Sequence, residues 1–415
     1  MRGTFIRYGA LPALSGSLWR SAFAVPCGRP QAPLRGPDVN GIALPEGFTS
    51  RVVGRSGERV GGVAWHAAPD GGACFADGDG WIYVSNSGVP LLGGVTALRF
   101  GPDGAIRSGY RILSGTDVNR AGGATPWNTW LSCEQTPAGR VFECDPYGRR
   151  APMPRLAMGL FAHQGLACDP DRRVVYLTER EPDGCFYRFR PDTWGDLTTG
   201  VLEVMAGTPE GEAVTWERVP TPAALFEPTR EQVKGALRFD GGDGTHYSDG
   251  LCYFITRGDG RVWVYDAARE RLSVRYGRGR DGLSGEPRAF HGHEEAVGDL
   301  FVAEDAGPME INVISGGVAE PFLRVEGQES SAIAGPAFSP DGTRLYFSAR
   351  RLPPPRRAGA SGLPASRPSA FAQSGGSHPS RRLPFQRGSA AQAEVGITYE
   401  ITGPFPDRMT RSARS

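Results

Sequence analysis

Six short runs rich in β-branched and aromatic residues recur along the chain at nearly constant intervals. The runs begin at residues 82, 129, 175, 253, 300 and 345, which leaves gaps of 47, 46, 78, 47 and 45 residues. Turn-forming Gly, Asp and Pro residues separate the runs, and each run has the length of a single strand. A period in the forties built from such strands is typical of propeller blades. The spacing therefore predicts an all-β chain folded as a six-bladed β-propeller with irregular loops.

Composition agrees with this class of fold and excludes several others. The 415 residues include 59 Gly and 35 Pro, which suits many turns and few long helices. The 46 basic and 45 acidic residues leave a net charge of +1, so charge gives no reason to expect nucleic acid as a partner. No apolar stretch is long enough to cross a bilayer, so we predict no transmembrane segment. The 7 Cys residues contain no C-x-x-C pair, which argues against a zinc ribbon.

The chain divides into a leader, a propeller and a tail. Residues 1–40 are expected to be a leader and spacer, because Arg2 to Arg7 resembles a twin-arginine export motif whose second arginine has become Gly3. This predicts a periplasmic or secreted protein, or a cytoplasmic one if the altered signal fails. The propeller is expected over 41–405, with an extra hairpin and a short helix over 200–233. A tail follows at 406–415.

One segment near the end of the propeller has a different composition. Residues 350–393 are rich in Arg, Pro, Ser, Ala and Gly and nearly lack β-branched residues, so we predict a disordered, low-complexity insert there. The sequence Gly-Ile-Thr-Tyr-Glu-Ile-Thr-Gly-Pro at 396–404 then has the pattern of a strand that closes the ring with the N-terminal blade.

The ends of the six strands carry polar residues that propeller geometry places on one rim. The first two strands of a blade form an antiparallel hairpin, so the start of one lies beside the end of the next. The rim would then collect Asn119, Cys133, Glu134, His163, Glu179, Asp243, Arg257, Glu304 and Asp305. A thiolate suits a transition metal, and carboxylates with an Asn carbonyl suit calcium. Arg257 among them would bind an oxyanion with two parallel hydrogen bonds.

Each of these residues also has a structural interpretation. Glu179 and Glu304 would serve equally well as acceptors for backbone N–H groups at a blade end. Asp305 suits a turn, and Arg257 suits a structural ion pair. His66 and His246 are better explained as packing or hydrogen-bonding groups than as ligands. The prediction of a metal site therefore depends on the set and on no single residue.

Several motifs together resemble the PhoX-type alkaline phosphatase family. They are Thr-Trp-Leu-Ser-Cys-Glu at 129–134, Gly-Leu-Phe-Ala-His at 159–163, Val-Tyr-Leu-Thr-Glu at 175–179, Gly-Asp-Gly-Arg-Val-Trp at 258–263, Phe-Val-Ala-Glu-Asp at 301–305 and Ser-Pro-Asp-Gly at 339–342. The resemblance covers residues 40–350 and resumes at 394–405, and it is closest to the shorter members of the family. It implies a six-bladed propeller, phosphomonoesterase activity, and a site in which iron, bridged by a cysteine thiolate, works together with calcium ions.

The resemblance assigns roles to particular positions. It implies that Cys133 is the bridging thiolate and Arg257 a phosphate clamp. Carboxylate ligands or their neighbours would be Glu134, Glu179, Glu304 and Asp305, and the predicted metal set also includes Asn119, Asp243 and Gln164. Three positions depart from the family pattern, because Gln164, Asp243 and Ala332 stand where the family usually has glutamate. Glutamine can give a carbonyl oxygen to calcium but is a poor ligand for ferric iron, and alanine cannot bind a metal.

Three functions are compatible with these features. The first is a PhoX-like, metal-dependent phosphomonoesterase that uses ferric iron and calcium on small phosphate esters. The second is a non-catalytic propeller that has lost metal ligands and serves as a binding or scaffold module. The third is a calcium-dependent lactonase or esterase. Neither the G-x-S-x-G motif nor a Ser-His-Asp arrangement is visible, so a serine nucleophile has little support.

Overall fold

The computed structural model describes residues 33–208, 213–277, 286–293, 299–305, 308–315, 318–328, 331–351 and 396–405. For residues 276–277, 286–293, 299, 305, 315, 318 and 351 it describes the backbone alone. Most of the predicted leader and insert, and the tail, lie outside the described residues. Apart from two 3₁₀ helices, the regular secondary structure of the described residues consists of strands. The first four strands are β1 (Ile42–Ala43), β2 (Thr49–Arg55), β3 (Arg59–Val60) and β4 (Val63–Ala64).

Six antiparallel blades follow around a common axis; blades 1 to 4 are separate sheets, while blades 5 and 6 are joined into one sheet by the pairing of Asp305 with Ala332. Blade 1 contains β5 (Pro69–Asp77), β6 (Gly80–Ser87), β7 (Gly93–Phe100) and β8 (Ile106–Thr116). Blade 2 contains β9 (Asn119–Ala124), β10 (Trp130–Glu134), β11 (Val141–Cys144) and β12 (Met153–Pro154). Blade 3 contains β13 (His163–Asp169), β14 (Val174–Glu179), β15 (Phe186–Thr193), β16 (Asp196–Gly207) and β17 (Val214–Arg218).

The second half of the ring repeats this order. Blade 4 contains β18 (Gly242–Ser248), β19 (Leu251–Thr256), β20 (Arg261–Asp266) and β21 (Arg271–Gly277). Blade 5 contains β22 (Glu286–His293), β23 (Asp299–Asp305), β24 (Glu310–Ser315) and β25 (Val318–Val325), with β1 at its edge. Blade 6 contains β26 (Ser331–Phe338), β27 (Arg344–Arg351), β28 (Gly396–Thr402) and β2. The prediction of an all-β six-bladed propeller is confirmed.

The six runs found in the sequence are the second strands of the six blades. They fall in β6, β10, β14, β19, β23 and β27. The long third interval is explained by β16 and β17, which extend blade 3, and by a 3₁₀ helix at Thr229–Glu231. Strand β27 continues through Arg351, so residues 350 and 351 of the predicted insert belong to a strand.

The ring closes by pairing one strand from each end of the chain. Strand β28 pairs with β27 on one side and with β2 on the other, so the predicted closing strand at 396–404 pairs with the N-terminal segment. Glu400 is buried at this seam and accepts hydrogen bonds from Arg51, Arg344 and Tyr346 at 2.6, 2.8 and 2.7 Å. These bonds satisfy a buried carboxylate and fix the N-terminal strand in the last blade.

The hydrophobic core is divided among the interfaces between blades. Side chains on a strand point to alternate faces of the sheet, and in a propeller both faces pack against neighbouring blades. Among the described residues, the buried apolar side chains form six clusters, and each cluster joins two adjacent blades. Side chains in the middle of a strand therefore stabilise the ring, and only strand ends reach its rim. No described helix is long and apolar enough to cross a membrane.

Candidate active site

One rim of the propeller carries a ring of six equivalent positions. In every blade the first strand pairs its starting residue with the end of the second strand, as in His163 opposite Glu179. The second residue of each first strand stands at the same level, and these residues are Asp70, Arg120, Gln164, Asp243, Pro287 and Ala332. We call this set the ring positions. The sequence predicted this rim, and it named Gln164 and Asp243 among its site residues.

Bulges in the first strands turn the ring positions away from the sheets. In blades 1, 3 and 4 the register shifts directly after the first residue, so two residues are left out of the ladder. In these three blades the residue after the ring position is a glycine, and at Gly71 and Gly165 the backbone of a neighbouring blade lies close to it. A Cβ on Gly71 would lie 2.6 Å from the Cα of Ala121, and one on Gly165 would lie 2.8 Å from the carbonyl oxygen of Asp243. Glycine is therefore required for the blades to approach this closely.

Asp70 is held by arginines from the two neighbouring blades. Its carboxylate is buried and accepts from the Nη1 atoms of Arg120 at 3.3 Å and Arg350 at 3.1 Å. Arg120 also donates through Nε to Gln135 at 3.2 Å. These contacts join blades 6, 1 and 2 at the rim, and the charge of the buried carboxylate is compensated by guanidinium groups.

Asp243 has an analogous arrangement across blades 3 and 4. Its side chain is buried and accepts from Gln164 Nε2 at 2.8 Å and from Arg180 Nη1 at 2.9 Å. The same Nη1 atom lies 3.4 Å from the carbonyl oxygen of Gly241. Gln164 Oε1 is buried and has no hydrogen-bond partner among the described residues. One carboxylate oxygen and one main-chain carbonyl oxygen thus contact the Nη1 atom of Arg180, and the Gln164 amide donates to the same carboxylate.

A cleft of about 250 Å³ opens beside this pair. It is lined by Arg180, Glu181, Pro182, Asp240, Gly241, Arg257 and Gly258. Gly241 joins the two arginines, because its carbonyl oxygen also accepts the backbone N–H of Arg257 at 2.9 Å. Two guanidinium groups and two carboxylates therefore meet in one cleft at the rim. Arg257, which the sequence suggested as an oxyanion clamp, is among the residues that line this cleft.

A second cavity, of about 150 Å³, runs along the axis below the ring positions. Its lining includes Asp70, Gln164 and Asp243 at the rim and Trp130, Leu166 and His246 further in. Burial lowers the pKa of His246 to about 4, so this imidazole is neutral at pH 7. Glycines and alanines of the surrounding first strands form much of its lining.

Cys133 does not reach the rim. It is the fourth residue of β10 and lies, fully buried, in the apolar cluster between blades 2 and 3 with Leu131, Val141 and Phe161. Burial raises the pKa of its thiol well above the usual value. A thiol in such surroundings stays protonated and behaves as a small hydrophobic side chain.

The two predicted glutamate ligands nearest the strand ends bind the protein itself. Glu134 accepts from the backbone N–H groups of Asp117 and Arg140 at 2.9 and 3.1 Å, and from the Arg140 guanidinium. Glu179 accepts from the Cys185 N–H at 3.0 Å, the Tyr187 hydroxyl at 2.8 Å and Arg230 at 3.1 Å. Burial raises the pKa of Glu179 although these hydrogen bonds oppose the shift. Both side chains fix the loops at the ends of their blades.

The remaining predicted residues occupy separate places. Asn119 is buried and is bonded to Thr116 and Ser132. Glu304 is buried near the end of β23, while the side chain of Asp305 lies outside the described part and its backbone pairs with Ala332. His163 is buried with Nε2 at 3.0 Å from the Gly159 oxygen, and burial lowers its pKa to about 4.

These positions do not fit the iron and calcium cluster that the resemblance implies. Cys133 packs in an apolar core, Glu134 and Glu179 are bound to arginines, and Ala332 offers no ligand atom. Among the described residues, no group of three or more His, Cys, Asp or Glu side chains is arranged to hold a metal ion. Arginines instead contact the carboxylates of Asp70, Glu134, Glu179 and Asp243.

Sequence reasoning missed Arg120, Arg180 and Arg350. Arg120 and Arg180 each follow a predicted site residue directly, so their positions on the rim were available from the strand pattern. Arg350 was assigned to the low-complexity insert on composition. The repeated pairing of a polar residue with a small one, as in Asp70-Gly71, Gln164-Gly165 and Asp243-Gly244, is the signal that marks the ring positions in the sequence.

Comparison with known proteins points to one family. The sequence profile described as alkaline phosphatase PhoX matches residues 136–279. The fold is similar to that of Pseudomonas fluorescens PhoX, solved in complex with the transition-state analogue vanadate, with a TM-score of 0.63 and 15% identity over 92% of this chain and 98% of that one. A Xanthomonas campestris gluconolactonase aligns with a TM-score of 0.47 and 13% identity over 77% of this chain and 95% of that one. No curated protein matches the chain in sequence.

Fold and profile together define the class of protein. The chain is a six-bladed propeller of the PhoX shape, since one PhoX structure aligns along nearly its whole length. The resemblance to the PhoX-type alkaline phosphatase family is confirmed by the profile match to residues 136–279, which span the end of blade 2 and blades 3 and 4, where the arginine cleft lies. The likeness to the gluconolactonase is too weak to support a lactonase.

Proposed function

We propose that this protein is a PhoX-like phosphomonoesterase that binds small phosphate esters at the rim cleft. The observation that carries the proposal is the meeting of Arg180 and Arg257 in one cleft within the part of the chain that the PhoX profile matches. Guanidinium groups bind phosphoryl oxygens in pairs and stabilise the charge that spreads over them in the transition state. The PhoX complex with vanadate shows that another propeller of this shape binds a phosphate analogue.

The cleft supplies both charges that hydrolysis needs. Arg180 engages Asp243 and Gly241 through Nη1, and its other N–H donors are the ones to bind a phosphoryl oxygen. Arg257 binds the phosphoryl group from the other side of Gly241. A carboxylate of Glu181 or Asp240 accepts a proton from the attacking water, whose oxygen forms the new P–O bond as the ester P–O bond breaks. The leaving alkoxide takes its proton from solvent. We also propose that the protein acts in the cell envelope.

A second candidate is a non-catalytic propeller that binds phosphate esters without hydrolysing them. The arginine contacts to Asp70 and Asp243 favour it, because they satisfy carboxylates that would otherwise be available as ligands. Binding at the cleft is common to both candidates, and turnover separates them.

The test is a phosphatase assay on the full chain with a chromogenic aryl phosphate, accompanied by vanadate titration. We expect saturable hydrolysis that Arg257→Met lowers about 100-fold, the loss typical of one transition-state hydrogen bond. Arg269→Met is the matched control, since Arg269 is exposed on an outer turn of blade 4 and pairs with Asp266. Vanadate binding without hydrolysis would establish the second candidate. A protein that neither binds vanadate nor hydrolyses the ester would refute both.

A further inference from the structure

Both acidic ring positions among the described residues are neutralised by arginines that come from neighbouring blades. Asp70 in blade 1 contacts Arg120 of blade 2 and Arg350 of blade 6, while Asp243 in blade 4 contacts Arg180 of blade 3. These carboxylates are 2% and 1% exposed, so each needs a strong counter-charge to stay ionised. The same type of ion pair, between a ring-position aspartate and an arginine of a neighbouring blade, occurs at two separate places in the ring. It is therefore a feature of the rim and not of one loop.

The surroundings of the Arg180 Nη1 atom are those of a cation site. Asp243 Oδ2 lies 2.9 Å from it and the Gly241 carbonyl oxygen 3.4 Å from it. Gln164 does not contact Arg180; it donates through Nε2 to the same carboxylate, and its buried Oε1 has no partner among the described residues. Carboxylate, main-chain carbonyl and amide oxygens are the donors that calcium takes in proteins.

We propose that guanidinium groups take the place of metal ions in this rim. Arg180 fills a cation position on Asp243, and Arg120 with Arg350 fills the corresponding position on Asp70. The ring of blades is thereby assembled by cross-blade ion pairs, and its stability is independent of calcium and iron. This inference goes beyond the proposed function, since it concerns what holds the rim together and does not depend on turnover.

The proposal makes opposite predictions for the native protein and for one variant. In the native protein the cation position on Asp243 is filled, so calcium has no site there to stabilise. In Arg180→Ala the Asp243 carboxylate and the Gly241 carbonyl lose their cation, and the unpartnered Oε1 of Gln164, which is bonded to the same carboxylate, is a further oxygen that a metal ion could take. A ligand that binds only the folded state raises its melting temperature, so calcium should stabilise this variant. Arg180→Lys retains a positive charge and is the matched control.

The experiment is thermal unfolding of the full chain after chelation, with and without millimolar calcium. We expect the native protein and Arg180→Lys to melt at the same temperature in both conditions. We expect Arg180→Ala to melt lower than the native protein and to regain several degrees with calcium. A native protein that loses several degrees on chelation, or that retains stoichiometric iron or calcium after purification, would overturn the proposal. An Arg180→Ala variant that folds but ignores calcium would also overturn it.

If Arg180→Ala does not fold, the native protein and Arg180→Lys still decide the question through their response to chelation. The result is distinguishable from a failure of the proposed function. A protein without phosphatase activity can still melt independently of metals, and an active phosphatase can still lose stability when its metals are removed.

Discussion

Replacing Cys133 with alanine separates two explanations of the Cys-Glu motif. In the structure its sulfur is buried in the apolar cluster between blades 2 and 3. Removing it loses one buried heavy atom and leaves a small cavity, which together cost about 1–2 kcal/mol of the free energy of unfolding. Cys133→Ser should cost about 1–3 kcal/mol more, because a hydroxyl group enters surroundings without polar partners.

The assay is urea unfolding of both variants, with phosphatase activity measured on the same samples. Cys144→Ala is the control, because Cys144 is equally buried in the cluster between blades 1 and 2. We expect Cys133→Ala and Cys144→Ala to lose similar stability and to retain the activity of the native protein. A Cys133→Ala variant that is as stable as this control yet inactive and depleted of iron would refute the packing role and support a bridging thiolate.

Three further predictions concern stability. Burial lowers the pKa of His66 to about 3, so its neutral form contributes full stability above pH 6.5 and this contribution is lost as the pH falls. The free energy of unfolding should fall by about 2 kcal/mol between pH 7 and pH 5. In His66→Gln, urea unfolding should show a pH dependence that is smaller by this amount. Glu400→Ala leaves Arg344 and Tyr346 without their shared acceptor at the closing seam, and calorimetry should show a loss of about 3 kcal/mol, whereas an unchanged melting temperature would contradict the role of this seam. Gly71→Ala places a methyl group 2.6 Å from the Cα of Ala121, so blades 1 and 2 must shift at a cost of about 1–3 kcal/mol. Gly36→Ala, at a position with open space and no positive φ, is the comparison for the methyl group alone.

The second strands could be found from sequence because bulky side chains pack on both of their faces. Trp81, Tyr83 and Leu131 lie in clusters between blades, and residues of this kind produced the period in the forties. The first strands left no such signal. Close approach of backbones around the axis requires glycine and alanine there, as at Gly71 and Gly165, so these strands resemble loops in composition.

The surroundings of Cys133 are determined by the face of the strand on which its side chain lies, and the Cys-Glu motif does not reveal that face. Ser132 points toward blade 1, where its hydroxyl donates to Asn86 at 2.9 Å, and Cys133 therefore points toward blade 3. Neither face of a second strand looks onto the axis. Cys133 and Glu134 are adjacent in the motif, but their side chains lie in different surroundings. Cys133 packs in an apolar core, and Glu134 binds backbone N–H groups at the end of the blade.

The contact between Arg350 and Asp70 could not be predicted, because it joins the last blade to the first. Arg350 and Asp70 are 280 residues apart and meet only when the ring is closed. Composition placed Arg350 in the low-complexity insert, although it lies at the end of β27. Arg180 was within reach of sequence reasoning, since it follows Glu179 at the end of a predicted strand.

The measurement that tests the account most directly is a crystal structure of the full chain grown with vanadate. The account predicts vanadate in the cleft between Arg180 and Arg257, with Arg180 still bound to Asp243 and Cys133 packed between blades 2 and 3. Vanadate bound to a metal cluster that includes Cys133 and Glu179 would contradict it.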